Sequence, residues 1–335
     1  MKTKVLFVCA VSIFVILLGV GMGSVYVSPY NVTKILISKI FNLNLIPYEL
    51  ETMQVIIWKI RLPRVLTAFI CGGSLAMTGV IMQGCLKNLL ASAYTIGVSS
   101  GASLFAACTL FFSNLAILSL PLAGSLGAVF SVFLVVSFSQ KFDKALSDNT
   151  IILVGMIFSL FANAILTILV SLNHEKLGHL LFWQMGNFGW HGWKGLTIIF
   201  PFTIIAFLYL FNFSTEADIL TFGDEQALSL GVQSTVIKKK LLVVASLLIG
   251  IIVAFVGIIG FMDLIAPHVV RKFFGSKHRI VLPMSFLFGG ILMVVCDLVA
   301  RTILSPIEIS VGAVTAIIGA PFFAYIYFSK RAKNA

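Results

Sequence analysis

The stretch Arg61–Ala102, RLPRVLTAFICGGSLAMTGVIMQGCLKNLLASAYTIGVSSGA, decides the fold. Arg61 and Arg64 flank Leu62-Pro63 at its entry. An apolar run carrying Gly72, Gly73 and Gly79 follows and leaves through a polar turn, Gln83-Gly84 to Lys87-Asn88. A second glycine-rich patch, Gly97-Val98-Ser99-Ser100-Gly101, re-enters the apolar phase. This pattern predicts one membrane helix, a tight turn and the start of a second helix. Small residues on both would let their backbones approach closely in lipid.

Composition agrees. The 335 residues are 59% hydrophobic and 10% charged, with a mean hydropathy of +1.08. A soluble domain carries about 25% charged residues, so the chain reads as an all-α polytopic membrane protein. The apolar runs are long and unbroken, unlike the short alternating segments of a β-barrel. They fall at 5–26, 65–85, 93–112, 115–138, 150–170, 195–213, 241–259, 262–274, 280–300 and 309–328, which predicts about ten transmembrane helices in one transmembrane domain, 1–335. The first run follows Lys2 and Lys4, but no small-residue cleavage site ends it, so it reads as a span rather than a leader.

The net charge of +11 does not point to nucleic acid, because no basic stripe with interleaved aromatics occurs. With the N-terminus inside, fifteen of the 23 lysines and arginines fall on inner segments. That asymmetry predicts both termini on the cytoplasmic side. Arg61, Arg64 and Arg301 then lie outside, against the trend. The five cysteines form no C-x-x-C pair and read as small buried hydrophobes. Thr78-Gly79-Val80-Ile81 and Val256-Gly257-Ile258-Ile259 each precede a polar break on opposite sides, which suggests an inverted repeat.

No G-x-x-x-x-G-K-[ST] loop is present, so the chain carries no phosphate-loop nucleotide site of its own. The longest inner loop, 214–240, contains Asp224, Glu225, Ala227, Leu228, Leu230 and Gly231. Its apolar residues stand at helical spacing, with Gly231 as a C-terminal cap. It reads either as a surface helix on a solvated loop or as a knob for a partner's groove. Asp148 and Asn149 read as a solvated turn that caps the next helix. Asp263 is acidic near membrane depth and so a functional candidate. His268, beside Pro267, reads as a packing or hydrogen-bonding residue before a proton switch. Asp297 and Arg301, four apart, share a helix face and can pair. The loop 171–193 holds His174, His179 and His191 with Trp183, Trp190 and Trp193. An interfacial aromatic belt explains it more simply than a haem-contacting mouth.

These blocks resemble, in order, the permease subunits of the ABC importers for vitamin B12, ferric siderophores and haem. The family's R-L-P-R entry, its glycine-rich helix and its G-x-S-S-G-A patch match residues 61–102. An A-x-S-L-G-V core matches Ala227–Val232. Gly260, Phe261, Leu264, Pro267, His268 and Arg271 match a further segment, with Asp263 where the family has glycine. The Asp297–Arg301, Pro306–Gly312 and Gly319–Phe323 blocks close the match, with Ser310 in place of proline.

The resemblance implies a B12-importer-like permease in a bacterial plasma membrane. Its partners would be cytoplasmic ATP-binding subunits, an extracytoplasmic substrate-binding protein, a second permease copy or paralogue, and membrane lipid. ATP and Mg would sit on the ATPase, leaving no cofactor in this chain. It further implies that Arg61, Arg64 and Arg301 meet the binding protein, that the 214–240 loop docks the ATPase, and that Asp148 and Asn149 form the cytoplasmic gate. Asp263 and His268 become pathway candidates. A ferric siderophore is the expected cargo, with haem or cobalamin as alternatives. The rival class, an ion-coupled secondary transporter, would call for more intramembrane carboxylates than Asp263 and Asp297.

Overall fold

A computed structural model describes residues 2–23, 27–41, 51–92, 94–112, 120–143, 146–172, 177–189 and 191–333. Its helices in chain order are α1 (Lys2–Gly21), α2 (Pro29–Ile40), α3 (Glu51–Val55), α4 (Leu62–Cys85), α5 (Val98–Phe111), α6 (Leu120–Phe142), α7 (Asp148–Leu172) and α8 (Leu177–Gln184). They continue as α9 (Gly192–Asn212), α10 (Ser214–Leu220), α11 (Asp224–Ser229), α12 (Ser234–Val256), α13 (Met262–Phe274), α14 (His278–Thr302) and α15 (Val311–Lys333). A π-helical turn, Ile56–Arg61, joins α3 to α4. Among the described residues, seven helices are long and apolar enough to cross a membrane: α1, the joined Glu51–Cys85 rod, α6, α7, α9, α12 and α14. Val98–Phe111 and Val311–Tyr325 are apolar but shorter.

The Arg61–Ala102 stretch forms the centre. Every residue of α4 except Leu66 and Phe69 is buried, enclosed by α14, α13, α12 and α9. The most extensive contact is that of α4 with α14. A Cβ on Gly72 would overlap Met293 and the Gly289 carbonyl, and one on Gly289 would overlap Ala76 and Gly72. Glycine on both helices lets the two backbones touch, the packing that lipid-embedded helices use where no hydrophobic force between them exists. Outward, α7 and α9 present Leu153, Ile157, Leu160, Phe161, Ile205 and Leu208, apolar surface that suits acyl chains rather than water.

Between α12 and α13 the chain leaves the helix inside protein. Gly257 turns it at φ +81°, where a Cβ would overlap the Trp183 carbonyl. The exposed backbone groups find partners: Ile258 N–H donates to the Gln184 carbonyl at 3.2 Å and Asn187 N–H to the Val256 carbonyl at 2.9 Å. Tyr94 O–H donates to the Ile259 carbonyl at 2.6 Å. A non-helical segment is tolerated in a membrane protein on this condition.

Two expected boundaries shift. The loop expected over 214–240 ends at Gln233, because α12 already starts at Ser234. The loop expected over 171–193 contains α8, whose Trp183 is buried and donates from Nε1 to the Ala254 carbonyl at 3.2 Å. Trp183 is therefore an interior residue, not part of an interfacial belt. His174 and Trp190 lie outside the described residues.

Candidate functional site

Polar side chains gather at the two ends of the bundle. At one end the C-termini of α1 and α14 meet the N-terminus of α4. Arg64 donates from Nε to Asp297 at 3.0 Å and from Nη1 to Glu308 at 2.9 Å. Arg301 pairs with Asp297 at 3.1 Å, the i,i+4 contact expected from spacing, and donates to the Gly19 carbonyl at 2.6 Å. Arg61 donates to the Val20 and Gly21 carbonyls at 3.3 and 3.1 Å. The carbonyls at a helix C-terminus lack intrahelical donors, so Arg61 and Arg301 cap α1. All three guanidiniums are buried, at 6–8% residue exposure, whereas the Glu308 side chain is 44% exposed. The structure thus brings Arg61, Arg64 and Arg301 together, but as buried side chains rather than projecting ones, Arg64 and Arg301 within an ion-pair network and Arg61 on the carbonyls of α1. Glu308 lies within the Pro306–Gly312 block. Its pairing with Arg64 spans 244 residues of chain, which no local pattern encodes.

The opposite end carries α10 and α11. In α11, Ala227 is buried while Leu228 and Leu230 are 64% and 63% exposed. The helix closes with Gly231 at φ +81°. Gly231 N–H donates to the Leu228 carbonyl and Val232 N–H to the Ala227 carbonyl, each at 2.9 Å. That is the Schellman arrangement, which glycine at the left-handed position makes unstrained. Two leucines are therefore held out from a tightly capped turn, with Phe222 also exposed beside them. Glu225 points outward as well.

Charged anchors hold this segment. On one side, the Asp218 carboxylate accepts from the His278 backbone N–H at 2.9 Å and lies 2.6 Å from its ring Nδ1. On the other, Lys238 Nζ lies 2.8 Å from Asp148 and 3.0 Å from Asp224. Lys87 reaches the same two carboxylates at 3.5 and 3.4 Å. Partial burial works against the Asp224 carboxylate, but the hydrogen bond and charge of Lys238, and then Lys87, outweigh it and lower its pKa. Asp218 is likewise lowered: burial opposes ionisation and the bonds from His278 more than compensate. Both acids are therefore ionised at neutral pH. Asn149, next to Asp148, is exposed.

Lys238 is the residue that sequence reading missed. It was counted as one of three basic loop residues, yet it is fully buried. Its position relative to Leu241, Leu242 and Ala245, all buried, puts it on the inward face of α12 at helical spacing. That spacing was the available signal.

The two pathway candidates sit apart from both clusters. Asp263 is buried at the start of α13, accepting from the Ser92 hydroxyl, while its backbone carbonyl accepts from Gln83 Nε2 at 3.0 Å. Gly79 gives it room: a Cβ there would overlap the Asp263 backbone. The His268 ring meets Phe322 edge-on at 6.4 Å, the packing contact expected of it.

A bundle built around a glycine-packed central helix, with polar clusters at both ends, is the architecture of a membrane transport subunit. The chain belongs to the FecCD transport family, whose model matches residues 11–329. It is 36% identical over 284 residues to the Fe(3+)-citrate import system permease protein YfmD of Bacillus subtilis, covering 84% of this chain and 83% of that one. It is 35% identical over 276 residues to the cobalamin import system permease protein BtuC of Halobacterium salinarum, covering 82% and 74%. Its fold is similar to a solved metal-chelate type ABC transporter in an inward-facing conformation. There the TM-score is 0.85 and the identity 29%, over 98% of this chain and 100% of that one. The chain is thus a multi-pass, non-catalytic permease subunit of a metal-chelate-type ABC importer. It works with a separate ATPase, which carries the ATP and Mg, with a substrate-binding protein and with a paired permease.

Proposed function

We propose that this chain forms half of the translocation pathway of an ATP-driven importer of ferric siderophores in a bacterial cell membrane, with both termini cytoplasmic. In this reading residues 1–335 form one permease domain of ten spans related by an inverted repeat, and 214–240 holds its coupling segment. The observation that carries the reading is α11. A short, capped helix exposing Leu228 and Leu230 is shaped to enter a groove on a partner, and its charged anchors give it a firm seat. Asp224, Glu225, Ala227, Leu228, Leu230 and Gly231 build that docking element, and Asp148 and Asn149 gate the pathway beside it. Asp263 and His268, on α13, are the pathway residues.

At the other end, Arg61, Arg64 and Arg301 outnumber Asp297 and Glu308. The resulting excess of positive charge suits acidic residues of the binding protein. Because the arginines are buried, docking is assigned to the face they build, with Glu308 at its surface.

Iron is preferred as the cargo by the Fe(3+)-citrate relative. The cobalamin relative supports a second reading, cobalamin or haem by the same mechanism. The test is co-purification in detergent of the wild-type chain and of Leu230→Asp, followed by mass spectrometry. Recovery of an ATPase with the wild type and its loss with the variant supports the reading. An ATPase retained by the variant would refute the docking role of α11.

A further inference from the structure

Lys238 does more than seat α11. Among the described residues it is the largest side chain that is fully buried. Its ammonium touches two carboxylates from different elements, Asp148 at the start of α7 and Asp224 at the start of α11. Lys87, in the turn after α4, closes the cluster from the more exposed side. Two cations and two anions thus join the ends of α4, α7, α11 and α12, with charge in balance.

A buried ion pair is no guarantee of stability, but breaking one is costly, because the remaining charge is left without water or partner. Lys238 must therefore keep an acid beside it through any movement of its surroundings. Since α11 is a single tight turn of helix, a displacement carries Asp224 with it. The Lys238 ammonium then either follows Asp224 and draws on Asp148, or gives up half of its compensation. The first course costs less. From this geometry we infer that Lys238 is a positioning residue, a tie that transmits displacement of α11 to the start of α7.

The inference rests on α11 being the ATPase contact. It adds that the path from that contact to Asp148 and Asn149 runs through one buried ammonium rather than through backbone continuity. The whole of α7 and a further 51 residues, including α8, α9 and α10, lie between Asp148 and α11 along the chain, so a direct side-chain tie is the short route.

The test uses the permease co-purified with its ATPase, carrying Asn149→Cys as a reporter, with maleimide labelling followed in nucleotide-free and ATP–vanadate-trapped complexes. With Lys238 present, trapping should change the labelling rate by about fivefold or more, the scale of ordinary allosteric coupling. Lys238→Met should abolish that change in complexes that retain the ATPase, whereas Lys238→Arg should keep it. A wild-type labelling change in Lys238→Met overturns the inference. Should that variant not assemble, Lys87→Met, which alters the partly exposed member of the cluster, should reduce the change. An undiminished change there overturns the inference equally. If even the Lys238 complex shows no ATPase bound, the docking reading falls and takes the tie with it. A bound, active ATPase with unaffected variants removes the tie alone.

Discussion

Arg64 holds two carboxylates at the entry of α4, Asp297 at 3.0 Å and Glu308 at 2.9 Å. Its position at the entry of α4 and its charge were legible, and so was the pairing of Asp297 with Arg301 four residues on. The pairing of Arg64 with Asp297 was not, since 233 residues separate them. Asp297 is fully buried between two guanidiniums. Replacing Arg64 by methionine would leave that carboxylate with half its compensation and release Glu308 to solvent. We expect a loss of about 3 kcal/mol or more, read as a lower midpoint of thermal unfolding in detergent. Glu308→Gln, at a half-exposed position, should cost about 1 kcal/mol or less. Equal effects of the two changes would mean that the network is not organised around Asp297.

At the scale of elements, α4 and α14 form the central joint. Its glycines were visible in the sequence as Gly72 and Gly73, and the expectation of close backbone approach came from them. The partner helix was not visible, because the facing Gly289 and Gly290 stand in a run that reads like any other apolar span. Gly72→Leu should push the helices apart and cost about 2 kcal/mol or more, measured as loss of folded protein after extraction. Gly178, where a side chain would meet nothing within 4 Å, should tolerate alanine with little effect. Boundaries were the less legible part of these elements. Lys238, Lys239 and Lys240 read as loop because lysines seldom lie within a membrane helix. The structure begins α12 at Ser234, seven residues before the expected span, with Lys238 neutralised by acids that arrive from α7 and α11. Likewise Trp183 carries the composition of an interfacial anchor and occupies the interior, because Gly124 leaves room for its ring and Gly257 for its carbonyl beside the break after α12.

For the molecule as a whole, each of the ten apolar stretches holds a helix, and the polar clusters segregate to opposite ends. One end gathers the buried arginines and the surface carboxylate of Glu308. The other gathers α10, α11 and the Lys238 cluster, which tie the outward leucines to the starts of α7 and α12. A transport subunit needs this division, with one face for delivery and the other for the motor. The account is tested most directly by reconstituting the chain with its ATPase, its binding protein and its paired permease in sealed vesicles. Uptake of a radiolabelled ferric siderophore would then be followed with ATP or without it on the ATPase side. The account predicts accumulation that requires hydrolysable ATP and disappears with Leu230→Asp. Accumulation without ATP, driven by a proton or sodium gradient, would contradict it.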